Sequence, residues 1–125
     1  MPSFGEVKLR ITGVDFDYKK LRNQIDDEVK KLVPIINDFI YSTDNENIEE
    51  AIGKLLIQKN QKVSVAESCT GGYLSHLFTS IPGSSAYFMG GIVSYSNEAK
   101  MEVLKVKQET LTKFGAVSEE TVKEM

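Results

Sequence analysis

The chain has 125 residues and a formal net charge of −3, the size of one domain or slightly more, and its acidic balance speaks against binding nucleic acid by general electrostatics. With 41% hydrophobic and 26% charged residues it can build a core and keep a polar surface. A single cysteine excludes an intramolecular disulfide framework and fits a reducing, cytoplasmic setting; no apolar run approaches the ~20 residues of a membrane span, and the N-terminus lacks the basic and apolar regions of a signal peptide.

Val7, Leu9 and Ile11 alternate with Glu6, Lys8, Arg10 and Thr12, which predicts a half-buried strand over 6–12, ended by Gly13. Tyr18, Leu21, Ile25, Val29 and Leu32 recur at three or four residues and predict a surface helix over 17–31 that stops before Pro34. Residues 35–41 read as a second strand, so the opening set is β-α-β with a small core. Residues 42–46 are polar and read as a loop. Thr43 with Glu46 fits a capping box for a helix carrying Ile48, Ala51, Ile52, Leu55 and Leu56 on one stripe. This loop is the expected boundary between a segment 1–45 and a second domain, 46–125.

Lys59-Asn60-Gln61 closes that helix and residues 63–66 form a short strand. A helix follows over 73–80 with Leu74, Leu77 and Phe78 inward, then a turn at Pro82-Gly83-Ser84-Ser85 and a strand over 90–95. Asn97 is the expected N-cap of a helix over 98–104. A last helix begins near Ser118, where Glu119 and Glu120 suit the positive end of the helix dipole. Strands alternating with helices predict an α/β fold, a partial three-layer α/β/α domain with a mainly parallel sheet covered on both faces. Two strands after residue 46 are few for such a sheet, and the expectation is that the domain is cut short.

The densest chemistry lies at Glu67-Ser68-Cys69-Thr70-Gly71-Gly72. A hydroxyl at the end of a strand, just before a helix, sits among backbone N–H groups of Thr70, Gly71 and Gly72 that are expected to be unpaired. Such donors hold a phosphate or a developing oxyanion. Ser68 needs a base to act as nucleophile, and Lys100, following the second strand, is the candidate; burial against Tyr95 and Met101 would favour its neutral form. The competing reading is a structural corner with a solvated lysine.

Cys69 is the other nucleophile on offer, but the only histidine, His76, lies about 10 Å further along a helix at ~1.5 Å per residue. Cys69 is therefore expected as a small buried filler. Glu67 is left between orienting Lys100, bonding neighbouring backbone and pairing with a surface cation. The basic residues Lys19, Lys20, Arg22, Lys30 and Lys31 are interspersed with acids, as on a solvated helix face. No Gly-x-x-Gly loop, Walker motif, dinucleotide fingerprint or metal-ligand cluster occurs, so nucleic acid is not an expected partner.

Ala66-Glu67-Ser68-Cys69-Thr70-Gly71-Gly72 is followed in order by Ile81-Pro82-Gly83-Ser84-Ser85, Gly90-Gly91-Ile92-Val93-Ser94-Tyr95-Ser96-Asn97-Glu98-Ala99-Lys100 and Gly115-Ala116-Val117-Ser118-Glu119-Glu120. This series resembles the C-terminal domain of the CinA family, the nicotinamide-nucleotide amidase of competence/damage-inducible proteins, over about residues 46–125. Residues 1–45 resemble the end of the family's small middle domain, with Pro2-Ser3-Phe4-Gly5-Glu6-Val7 as the clearest signature.

The resemblance implies hydrolysis of nicotinamide mononucleotide to nicotinic acid mononucleotide and ammonia. It makes Ser68 the nucleophile and Lys100 the general base. Thr70 and the Gly71-Gly72 backbone would line the oxyanion and substrate site, with Tyr95 close by, and neither a metal nor an organic cofactor is implied. Family domains continue past the position of Met125, so this stretch alone is expected to have little or no amidase activity. The alternative is a non-catalytic nucleotide-binding or oligomerisation domain. An unpaired sheet edge points to a homo-oligomer.

Overall fold

The computed structural model describes residues 2–3, by their backbone, and residues 5–125. The chain divides into two compact units, Met1–Thr43 and Asp44–Met125.

In the first unit β1 (Pro2–Ser3) pairs antiparallel with β2 (Glu6–Val7), with Ser3 opposite Glu6. The strand expected over 6–12 is therefore only its first two residues. Alternation describes a surface that fits a sheet, but the ladder ends at Val7, and Leu9 stays 62% exposed. Helix α1 (Tyr18–Ile36) is capped by Asp17, whose carboxylate accepts from the N–H of Lys19 at 2.9 Å and of Lys20 at 3.2 Å. It runs through Pro34 instead of stopping before it. Leu32 and Ile36 continue the half-buried stripe of Leu21 and Ile25, and extending that stripe offsets the one backbone bond that a proline removes. The expected second strand, 35–41, is instead the end of α1 and a 3-10 turn at Asn37–Phe39. This unit is thus a hairpin followed by a helix, not β-α-β, and none of α1's side chains is fully buried.

The second unit begins with α2 (Ile48–Gln58). Its N-cap is Asn47, whose N–H donates to the Glu50 carboxylate at 2.8 Å. The capping box expected at Thr43 and Glu46 is displaced by four residues because Glu46 pairs with Lys54. Then come β3 (Val63–Glu67), α3 (Tyr73–Thr79), a 3-10 turn (Ser84–Ala86) and β4 (Phe88–Val93). The remaining elements are α4 (Asn97–Glu102), α5 (Gln108–Phe114) and α6 (Glu119–Glu124). Helix α5 has no counterpart among the expected elements.

Strands β3 and β4 are parallel neighbours, paired Ser64 to Gly90, Val65 to Gly91, Ala66 to Ile92 and Glu67 to Val93. Val63 pairs with Phe88, so Met89 is an extra residue at a bulge near the start of the ladder. Helix α3 covers one face. Phe78 stacks on Phe88 with ring centroids 5.5 Å apart and meets Tyr87 edge-on at 6.2 Å. Gly91 is where α3 comes nearest, since a Cβ there would meet the Ser75 side chain and lie 2.9 Å from Val65 Cγ2. Among the described residues the buried apolar side chains are Phe78, Tyr87, Val106 and Leu111. The α/β class expected from the alternation holds. The opposite sheet face, with Ser64, Ala66 and Ile92, is exposed, so the described residues do not complete the double cover of a three-layer form. No described helix is long and apolar enough to cross a membrane.

Candidate active site

Because β3 and β4 run in parallel, both leave the sheet at the same end. Ser94, the first residue after β4, locks the two ends together. Its N–H donates to the carbonyl of Glu67 at 2.8 Å and its hydroxyl to the same oxygen at 3.3 Å. Ser96 then caps α4 by accepting from the Ala99 N–H at 3.1 Å. The cap expected at Asn97 is thus one residue earlier, where the shorter serine side chain completes the turn.

Lys100, the fourth residue of α4, is brought back over the strand ends and is only 1% exposed. Its Nζ lies 2.7 Å from the Ser94 carbonyl, 3.4 Å from the Tyr95 carbonyl and 3.0 Å from Ser68 Oγ. Among the described residues it forms no ion pair. An ammonium has three N–H donors, whereas the neutral amine has two and a lone pair. Two of the three contacts are carbonyls, which only accept. All three contacts accept from the ammonium, Ser68 Oγ among them; an amine that has lost its proton keeps two N–H groups for the two carbonyls and has a lone pair left for the Ser68 hydroxyl.

The loop from β3 to α3 is organised by Glu67, which is 3% exposed. Its carboxylate accepts from the N–H groups of Gly72 at 3.1 Å, Leu74 at 3.0 Å and Ser75 at 2.8 Å, and from the Ser75 hydroxyl at 2.6 Å. Burial alone would raise this carboxyl's pKa. The hydroxyls of Ser75 and Thr70 and the N–H groups of Ser75 and Leu74 outweigh burial and hold it at about 2. Of the three roles open to Glu67 from sequence, the one found is bonding to backbone.

This capping changes which amides are free. Gly72 donates to Glu67, Gly71 donates to the Ser68 carbonyl at 3.0 Å, and Tyr73 donates to the Thr70 carbonyl at 3.0 Å. Gly71 and Gly72 are therefore not the unpaired donors anticipated. Their contribution is conformational, with φ of +60° and +96° turning the chain into α3. The N–H groups of Cys69 and Thr70 bond to no other group among the described residues. The anion that an open helix start would attract is already supplied by Glu67, from inside the chain.

Cys69 is exposed, not a buried filler, because it sits at the apex of this loop instead of in the strand. Tyr95 is 74% exposed and lies beyond β4, with its carbonyl on Lys100. Sequence reasoning did not single out Ser94, the buried hinge between both strand ends; its place after an apolar run, opposite Ser68, is the only signal for it. No group of His, Cys, Asp and Glu is placed to hold a metal ion among the described residues.

Residues 45–125 match the family model of the CinA C-terminal domain. Across its whole length the chain is 47% identical to a CinA-like protein from Cytophaga hutchinsonii, of which it spans 30%. Over 97% of its length it is 47% identical to a putative competence-damage inducible protein from Halothermothrix orenii, of which it spans 29%. A solved CinA superfamily protein from Escherichia coli shares 32% identity at a TM-score of 0.62, covering 70% of this chain and 53% of that one. The competence/damage inducible protein CihA from Agrobacterium tumefaciens shares 44% identity at a TM-score of 0.57, covering 67% of this chain and 53% of that one. The chain spans about a third of the length of the curated relatives it matches. With the family model over most of its residues and relatives similar from end to end, this chain belongs to the CinA family and contains sequence of its C-terminal domain.

Proposed function

We propose that this chain carries the nucleophile and base of a carboxamide hydrolase whose substrate is nicotinamide mononucleotide. The observation that carries the reading is the Ser68–Lys100 pair at 3.0 Å, with the buried Nζ held there by the Ser94 and Tyr95 carbonyls. A serine becomes a useful nucleophile only when a base takes its proton during attack, and this geometry supplies one. The choice of a pyridine nucleotide comes from the resemblance of the motif series to the family's amidase domain.

In this mechanism Ser68 Oγ bonds to the carboxamide carbon while Lys100 Nζ takes the hydroxyl proton. Charge develops on the carbonyl oxygen, which the N–H groups of Cys69 and Thr70 can stabilise. Lys100 then gives its proton to the amide nitrogen, the C–N bond breaks and ammonia leaves an acyl-enzyme. Water attacks the ester, passing a proton to Lys100, which returns it to Ser68 as nicotinic acid mononucleotide departs. The balance is carboxamide plus water to carboxylic acid plus ammonia.

Because the chain spans 30% of its Cytophaga relative, the test uses a CinA-like protein of the relatives' full length carrying these residues. Ammonia and nicotinic acid mononucleotide are expected to form together from nicotinamide mononucleotide, and Ser68→Ala is expected to stop both. Turnover unaffected by Ser68→Ala would sink the reading.

A further inference from the structure

We propose that Glu67 is a positioning residue for this reaction, its carboxylate holding the Ser68 loop in the shape that frees the Cys69 and Thr70 amides and keeps Ser68 beside Lys100. The proposal rests on the amidase reading above. Glu67 is bound at both of its ends. Its carbonyl takes the N–H and hydroxyl of Ser94, the residue whose own carbonyl holds Lys100 Nζ at 2.7 Å. Its carboxylate takes Gly72, Leu74 and Ser75 at the far side of the loop. Residues 68–71 are thereby closed into a ring whose two anchor points belong to one residue.

Two features indicate more than an ordinary helix cap. A cap needs only a side-chain oxygen on the N–H two or three residues further on, and α4 is served in that way by Ser96. Glu67 instead reaches to Ser75 from inside the sheet and satisfies donors that would otherwise compete with the loop for a substrate's oxygen. It also makes no ion pair with Lys100, so its influence on the base runs through geometry and not through a direct contact. A carboxylate is required because all the groups facing it at these distances donate. A glutamine amide there would set N–H against N–H and leave one oxygen for four donors.

The test measures nicotinamide mononucleotide turnover by the full-length protein carrying this chain, with Glu67→Gln and Ser75→Ala beside wild type and Ser68→Ala. Misplaced reacting groups cost rate more than binding, so Glu67→Gln is expected to lower kcat about 10²-fold with KM changed less than about threefold. Ser75→Ala removes one of the carboxylate's bonds and is expected to lower kcat several-fold while the protein stays folded. Should Glu67→Gln fail to fold, Ser75→Ala decides: unchanged kcat overturns the proposal. A folded Glu67→Gln with kcat within about twofold of wild type also overturns it, while leaving the amidase reading intact. Wild type without turnover overturns both.

Discussion

The two corners at which β3 enters α3 and β4 enters α4 are built from the same plan and end with opposite chemistry. Both leave the sheet at one end, and both are capped by a side chain that accepts from the start of the helix. At the first corner the cap is Glu67, a long side chain still in the strand, so the loop over 68–72 is wide and the amides at its apex are left over. At the second corner the cap is Ser96, a short side chain beside the helix, so the turn over 94–96 is tight and presents carbonyls to Lys100. One corner therefore offers hydrogen-bond donors and a hydroxyl, the other acceptors and an amine. Where the capping residue sits, in the strand or next to the helix, decides which kind of surface a strand-to-helix corner shows.

Removing the contribution of the second corner tests this division most severely. Lys100→Met is expected to lower kcat of the full-length protein by about 10²–10⁴-fold, the range for loss of a positioned base, with nucleotide binding retained by calorimetry. Lost binding with unchanged kcat would place Lys100 outside the chemistry.

The next effect is on packing. Gly91→Ala pushes a methyl group into the Ser75 side chain and Val65, disturbing the support of the first corner. Overpacking of this kind costs about 1–3 kcal/mol, and a urea midpoint equal to wild type would contradict it. Ser96→Ala should cost about 1 kcal/mol through loss of the α4 cap, with the loop over 68–72 unaffected.

The last effect is electrostatic and shows only in acid. The folded-state pKa of Glu67, about 2, lies below the ~4.3 of an unfolded glutamate. Its contribution to stability is therefore present above pH ~4.3 and is lost as pH falls toward about 2. Unfolding midpoints measured down this range should fall more steeply for wild type than for Glu67→Gln, and parallel curves would count against the carboxylate's role.

What the sequence made legible follows the range of the forces involved. Strands at 63–67 and 88–93, the helix after Gly72 and the cap at Ser118 rest on local patterns, and they appear within a residue or two of expectation. Helix α5 was missed because its start is satisfied from far away. The Lys107 N–H and the Thr110 hydroxyl both end on Glu124, in α6, so no capping residue stands next to it. The strand expected over 6–12 failed for the converse reason, since a correct alternation found no partner beyond Val7. Ser68 and Lys100 could be named from strand, loop and helix order together with the family resemblance. Of the loop's two free amides that of Thr70 was among those expected, but the pairing of Gly71 and Gly72 and the free amide of Cys69 were not, because they depend on the folded loop and on Glu67 reaching across it, a distance in space that no spacing in the chain encodes.

The bulge at Met89 separates two tolerances in this domain. From Ser64 to Glu67 the ladder keeps register up to the residues that hold Ser68 and Ser94, and a slip there would turn the following side chains to the wrong face. The irregularity sits at the other end, where the connection from α3 arrives. A residue gained or lost in that connection is expected to be taken up at this bulge, before Gly90, without travelling down the ladder. Chains with crossovers of unequal length can then share one spacing between Ser68 and Lys100, and a scan of single-residue insertions should find them accepted ahead of Gly90 and rejected in the ladder from Gly90 to Val93.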